Sequence, residues 1–197
     1  MAIDAEPLRR DDRPLTDSPD LGAWYRPARV HLVEYDDGWP ERYRIEASRI
    51  AGALGPDLVA IEHVGSTAVP GMPAKPVIDI LAAVAPWTAF DAMVSSLRDL
   101  GYVYTPESEA DDPGRRVFRK GPEDMSQLRT HHLHVTDAGS DYWMRIVAFR
   151  DRLRNAPEDA AAYARLKRRL ATRFEHDSRG YTAGKSDFVR SRELGPP

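Results

Sequence analysis

Residues 61–80 read IEHVGSTAVPGMPAKPVIDI, and this stretch decides the fold. Leu58–Ile61 is β-branched and apolar and reads as a strand ending in Glu62-His63-Val64. The next twelve residues, Gly65 to Pro76, hold two glycines and three prolines, so they form a structured loop. Val77–Val84 then runs almost unbroken in apolar residues, as a strand buried on both faces does. Asp79 alone interrupts it. A carboxylate among aliphatic side chains is costly unless it is paired or holds a cation. Two readings stand on spacing alone: a site residue, or a position at an edge or on an outward face satisfied by a Lys or Arg.

The loop before Asp79 adds chemistry. Gly65-Ser66 follows a strand, where small residues let backbone N–H groups approach a phosphate. Thr67 adds a hydroxyl, and Lys75 adds a cation four residues before the carboxylate. A phosphate-cradling turn beside a metal-holding carboxylate is what phosphoryl or nucleotidyl transfer requires.

Working outward, Val30–Val33 is expected as a short strand and Asp36–Gly38 as a turn. Trp39-Pro40 opens a helix with Tyr43, Ile45, Ala47, Ile50, Ala51 and Leu54 on its apolar face, stopped by Gly55-Pro56. Residues 87–100 are expected as a helix, with Phe90, Met93, Val94, Leu97 and Leu100 inward. Tyr102–Tyr104 and Arg116–Lys120 read as strands around the acidic loop Glu107–Gly114, and His131–Thr136 as another. From Asp141 the pattern turns helical, with Trp143, Ile146, Val147 and Phe149 as a core stripe. Pro157 starts a second helix with Ala161, Tyr163, Leu166, Leu170 and Phe174. The order is mixed α/β (α+β) first and helical last. It divides into an arm at 1–28, a core at 29–140 and a helical part at 141–197.

The chain has 197 residues, 28 basic and 31 acidic, for a formal charge of −3, and no cysteine. Disulfides, thiolate nucleophiles and Cys-based metal sites are excluded. No run approaches the roughly 18 apolar residues of a membrane span, and Met1–Pro14 has no apolar core of a secretory signal; a cytoplasmic protein is expected. A net-acidic chain is a poor general binder of nucleic acid, although residues 141–197 carry 13 basic and 8 acidic residues.

Further candidates follow from spacing. His132 and His134 share one strand face and can converge on a metal or a phosphate; the alternative is two surface histidines bonded to neighbours. His63 either lines the pocket or ends its strand, while Glu62 points the other way into solvent. Tyr181 and Lys185, four apart on a last helix, can reach the cleft from the C-terminal part. Arg119 or Lys120 can neutralise phosphate or lie on a solvated edge. Arg150-Asp151 reads as a structural pair, and Lys167-Arg168-Arg169 as a solvated helix face.

Residues 61–80 resemble the signature of the GrpB family, within the nucleotidyltransferase superfamily. HHLHV (131–135), FRDRLR (149–154), YARLKRRL (163–170) and YTAGKSDFV (181–189) are similar to later blocks of that family in the same order. The resemblance, over about residues 30–190, implies a nucleotidyltransferase-like mixed sheet with helices on one side, followed by C-terminal helices. It implies an enzyme using ATP or another nucleoside triphosphate with Mg²⁺ or Mn²⁺. In such an enzyme Gly65, Ser66 and Thr67 bind phosphates with Lys75, Tyr181 and Lys185. Asp79, with His132 or His134, holds the metal, and Asp79, Lys75 and His134 serve the chemistry. The acceptor would be a small molecule, nucleotidylated or activated as an adenylate. The superfamily's second strand carboxylate falls at position 81, which is Leu81. A catalytically weak nucleotide-binding regulatory module is the alternative.

Overall fold

The structure, a computed structural model, describes residues 30–85, 90–106, 109, 114–121 and 129–193. The expected arm at 1–28 and most of the loop 107–114 lie outside them.

Helix α1 (Trp39–Leu54) starts with Pro40 in its first turn and ends at Gly55, whose φ of 56° no other residue adopts cheaply. Strand β1 (Leu58–Val64) follows, then the loop with a single 3₁₀ turn at Ser66–Ala68. The remaining elements are β2 (Ile78–Val84), α2 (Phe90–Asp99), β3 (Tyr102–Tyr104), β4 (Arg115–Lys120) and β5 (His131–Asp137). The chain closes with α3 (Asp141–Asn155), α4 (Pro157–Arg173), α5 (Ser178–Ala183) and α6 (Ser186–Glu193). Ser140 caps α3 by accepting from the Trp143 backbone N–H at 3.2 Å.

The five strands form one mixed sheet in the order β1-β2-β5-β4-β3. Only β2 and β5 pair parallel; the other pairs are antiparallel. Ile78, Ile80, Ala82 and Val84 project to one face with Leu133, Val135 and Phe118. There they bury Ile50 and Leu54 of α1 and Met93, Val94 and Leu97 of α2. Period two then puts Asp79, Leu81, His132 and His134 on the opposite face. The parallel register sets Asp79 beside His132 and Leu81 beside His134. The C-terminal helices pack on the loop between β1 and β2, with Leu153 and Tyr163 against Val69 and Met72.

Four expectations need correction. Val30–Val33 makes no strand: only Val33 pairs, as a single bridge to Ala74 with hydrogen bonds of 2.8 and 2.9 Å. Ala74 is flanked closely by Pro73 and Pro76, which have no N–H to extend a ladder. On α1, Ile45 is 47% exposed whereas Glu46 is 2% exposed, because Lys120 on β4 reaches across to pair with Glu46 at 2.7 Å. The Trp143–Phe149 stripe is only half-buried, and the buried positions on α3 are Arg150 and Leu153. Lys167 is not on a solvated face: it is 1% exposed, since α4 turns Tyr163, Lys167 and Leu170 inward together.

Candidate functional site

Gly65 adopts φ 70° and ψ −168°, a conformation essentially reserved for glycine. Asp79 lies directly against it. A Cβ at position 65 would sit 2.9 Å from the Asp79 Cβ and 3.0 Å from its Cγ. The turn and the strand carboxylate therefore occupy one site, and glycine is needed there for packing as well as for its backbone.

Asp79 Oδ1 accepts from His132 Nδ1 at 3.1 Å, and the carboxylate is 30% exposed. Burial raises the carboxyl's pKa. The His132 hydrogen bond, with the Lys75 charge nearby, outweighs burial and holds it below the usual carboxylate range. His132 Nε2 is buried without a partner. His134 lies one rung along, its Nδ1 3.4 Å from the Tyr142 hydroxyl. Burial, with Arg115, His132 and Arg119 nearby, pushes it down to about 3 against the pull of Asp79, so its imidazole is neutral.

The candidates Lys75, Tyr181 and Lys185 come together. Lys75 Nζ sits 5.3 Å and Lys185 Nζ 4.5 Å from the centroid of the buried Tyr181 ring. Sequence reasoning missed two partners from α4. Tyr163 is buried, and Lys167 Nζ lies 5.3 Å from the Tyr163 centroid. Burial, the Lys185 charge and to a smaller extent Arg168 and Lys75 push Lys167 down to about 7, opposed by Asp79. Burial and Lys75 push Lys185 down to about 8, again against Asp79. Lys75 is also lowered, chiefly by burial.

Thr67 is turned away from this cluster. Its hydroxyl meets His63 Nε2 at 3.0 Å and donates to the Val77 carbonyl at 3.4 Å, bracing the loop from behind. His63 stacks on Tyr43 at 4.7 Å and faces a cavity of about 510 Å³ with Tyr35, Arg44 and Arg154. Glu62 is not simply solvated: it accepts from Arg150 at 2.6 Å. Arg150 also binds Asp151 at 2.8 Å and the His63 carbonyl at 3.0 Å, so it ties α3 to β1. Lys120 faces the core side with Glu46, while Arg119 sits opposite His132 in the β4–β5 register.

Among the described residues, no three His, Asp or Glu side chains cluster closely enough to hold a metal by themselves. Mg²⁺ characteristically takes one or two carboxylates and completes its shell with phosphate oxygens and water. Asp79 fits as a single such carboxylate. Leu81, two residues along on the same face, is fully buried and offers no carboxylate.

A mixed five-stranded α+β sheet, with a glycine turn packed on a strand carboxylate and helices closing over that face, defines the class of protein. The chain belongs to the GrpB family: the family model described as GrpB protein matches residues 29–193. A UPF0157 protein of Pseudomonas aeruginosa is 42% identical over 168 residues, covering 85% of this chain and 67% of its own length. The UPF0157 protein YqkA of Bacillus subtilis is 36% identical over 86% of this chain, which spans 48% of that protein. The crystal structure of conserved protein GrpB from Enterococcus faecalis has a TM-score of 0.74 at 34% identity. It covers 83% of this chain and 94% of that one. Among the described residues no helix is long and apolar enough to cross a membrane.

Proposed function

We propose that the chain is a nucleotidyltransferase-type enzyme that binds a nucleoside triphosphate, such as ATP, at the Gly65 turn on the side of α4–α6. It transfers the nucleotidyl group to a small-molecule acceptor, or activates the acceptor as an adenylate. The packing of Gly65 on Asp79 carries this reading, because it joins a glycine backbone turn to a carboxylate in one site.

Each residue has a role in that reading. The Gly65-Ser66 turn faces the phosphates, and Thr67 braces it from behind. His132 fixes the orientation of Asp79 through the 3.1 Å hydrogen bond. Lys75 offsets charge on the departing pyrophosphate. Tyr181 and Lys185 close over the phosphates from the C-terminal part, and the neutral His134 lines the floor. Mg²⁺ or Mn²⁺, when bound, would sit on Asp79 beside His132 and His134 and neutralise phosphate charge.

Leu81 favours a second reading, a regulatory module that binds nucleotide without turning it over. Calorimetric titration with ATP and Mg²⁺, on the wild type and Asp79→Ala, tests the binding that both readings share. The wild type binds and the variant binds at least about tenfold more weakly; absence of binding by either protein rejects both. Pyrophosphate release with acceptors from a cell extract then separates the enzyme from the module.

A further inference from the structure

We propose that Lys75, Lys167 and Lys185, set against Tyr163 and Tyr181, form a socket for a diphosphate-sized anion that fills without a divalent metal. This deepens the nucleotide reading and rests on it for the rest of the ligand, but the socket has its own observations.

Three acidic or basic side chains other than histidine are buried among the described residues: Glu46, Arg150 and Lys167. Each lies on the inward stripe of a helix. Glu46 is matched by Lys120, and Arg150 by Glu62 and Asp151. Lys167 is the exception. Its Nζ is buried, forms no hydrogen bond and joins no ion pair among the described residues. An ammonium has three donors, and leaving all of them dry is among the costlier things a fold can do. A fold that meets this cost at Lys167 while matching the two others leaves room for a partner from outside the chain.

The surroundings say what that partner is. Lys167 shares its field with Lys75 and Lys185, and among the described residues Asp79 is the carboxylate acting on all three. Asp79 is already engaged with His132. All three amines rest on tyrosine rings instead of on carboxylates. A ring face holds an ammonium without neutralising it, so the charge stays available to an anion. Three amines carry more counter-charge than one phosphoryl group calls for and match a diphosphate. They supply the counter-charge that a metal would otherwise bring, so capture of the anion is independent of Asp79-bound metal.

The test is calorimetry of the full chain with inorganic pyrophosphate and with orthophosphate, each in excess EDTA and in Mg²⁺. Pyrophosphate binds in EDTA, and orthophosphate binds at least tenfold more weakly. Lys167→Met and, independently, Lys185→Gln each weaken pyrophosphate at least tenfold, with folding checked by circular dichroism. Pyrophosphate binding that requires Mg²⁺, or that both variants leave unchanged, overturns the socket. So does an absence of binding in both conditions. ATP titrated in parallel separates the two ideas: ATP binding only with Mg²⁺ sinks the socket and keeps the nucleotide reading. Pyrophosphate binding without any ATP binding does the reverse.

Discussion

Gly65 and Asp79 exclude any larger residue at position 65, because a Cβ there would press within 2.9 Å of the Asp79 Cβ and closer still to Oδ2. The backbone at φ 70° adds a second cost for any L side chain. Gly65→Ala is therefore expected to lose about 2–4 kcal/mol of stability, measured by urea denaturation. Nucleotide binding falls with it, since Asp79 must move away from His132. A Gly65→Ala protein as stable as wild type would show that turn and carboxylate are not packed as described.

Lys167→Met should do the opposite to stability. Replacing an unpartnered buried ammonium by an isosteric apolar chain is expected to stabilise the free protein by about 1–4 kcal/mol. The pH dependence identifies the cause. Lys167 has a folded pKa of about 7, below the roughly 10.4 of an unfolded lysine. Between those values the unfolded state binds more protons, so wild-type stability rises with pH. The gain from methionine is then largest below pH 7 and shrinks toward pH 10. A gain that does not vary with pH, or a loss, contradicts an unpaired amine at this position.

The same amines make anion binding proton-linked. Lys167 faces Lys185, Lys75, Arg168, Asp79 and Tyr163; Lys185 faces Lys75, Asp79 and Tyr181. An arriving phosphate raises both lysines above their values of about 7 and 8, so binding takes up protons in that window. Affinity for pyrophosphate accordingly falls as pH rises from 7 to 9. Titrations at pH 8 in two buffers of different ionisation enthalpy measure the uptake; equal heats in both buffers would refute it.

The charged residues on the helix stripes also mark where the sequence stops being legible. The Gly-Ser turn, the carboxylate in β2 and the stop at Gly55-Pro56 follow from local chemistry, and they fall where expected. Glu46 and Lys167 do not, although both sit at helical spacing among apolar neighbours: Tyr43, Glu46, Ile50 on α1 and Tyr163, Lys167, Leu170 on α4. Composition says such residues face water; geometry places them inward, because their surroundings come from far along the chain. Lys120 is 74 residues from Glu46, and no local pattern announces that pairing. Thr67 is similar: a hydroxyl beside a Gly-Ser turn suits a phosphate, yet His63 and Val77 engage it.

Arg150 provides a contrast within the same class. Its guanidinium joins Asp151, Glu62 and the His63 carbonyl, and it belongs to the fold rather than to the ligand. Arg150→Met leaves a backbone carbonyl and two carboxylates without their donor. A loss of about 2–4 kcal/mol is expected, with pyrophosphate affinity changed less than about twofold in the folded fraction. A selective loss of affinity without loss of stability would move Arg150 into the binding site.

His63 and His134 should govern the behaviour of the protein in acid. Burial is the main cause of both depressed values, about 4 for His63 and about 3 for His134. Arg154 and Arg150 add to it at His63, and Asp79 opposes it at both. Above pH 6.5 both rings are neutral folded or unfolded, and they contribute no pH dependence. As pH falls below 6.5 the unfolded chain takes up protons that the folded one refuses, so stability drains away until the folded values are reached. For His63, buried between Tyr43 and Thr67, the loss is on the order of 3 kcal/mol. His63→Gln keeps a donor for Thr67 and removes that proton site, so its denaturation midpoint should shift less between pH 7 and pH 4.5 than the wild type's. NMR gives the direct measurement: the His63 and His134 ring resonances stay flat from pH 8 to pH 5. A titration of either ring near pH 6.5 in the folded protein would mean that it reaches water, and would remove His134 as a neutral lining of the cleft.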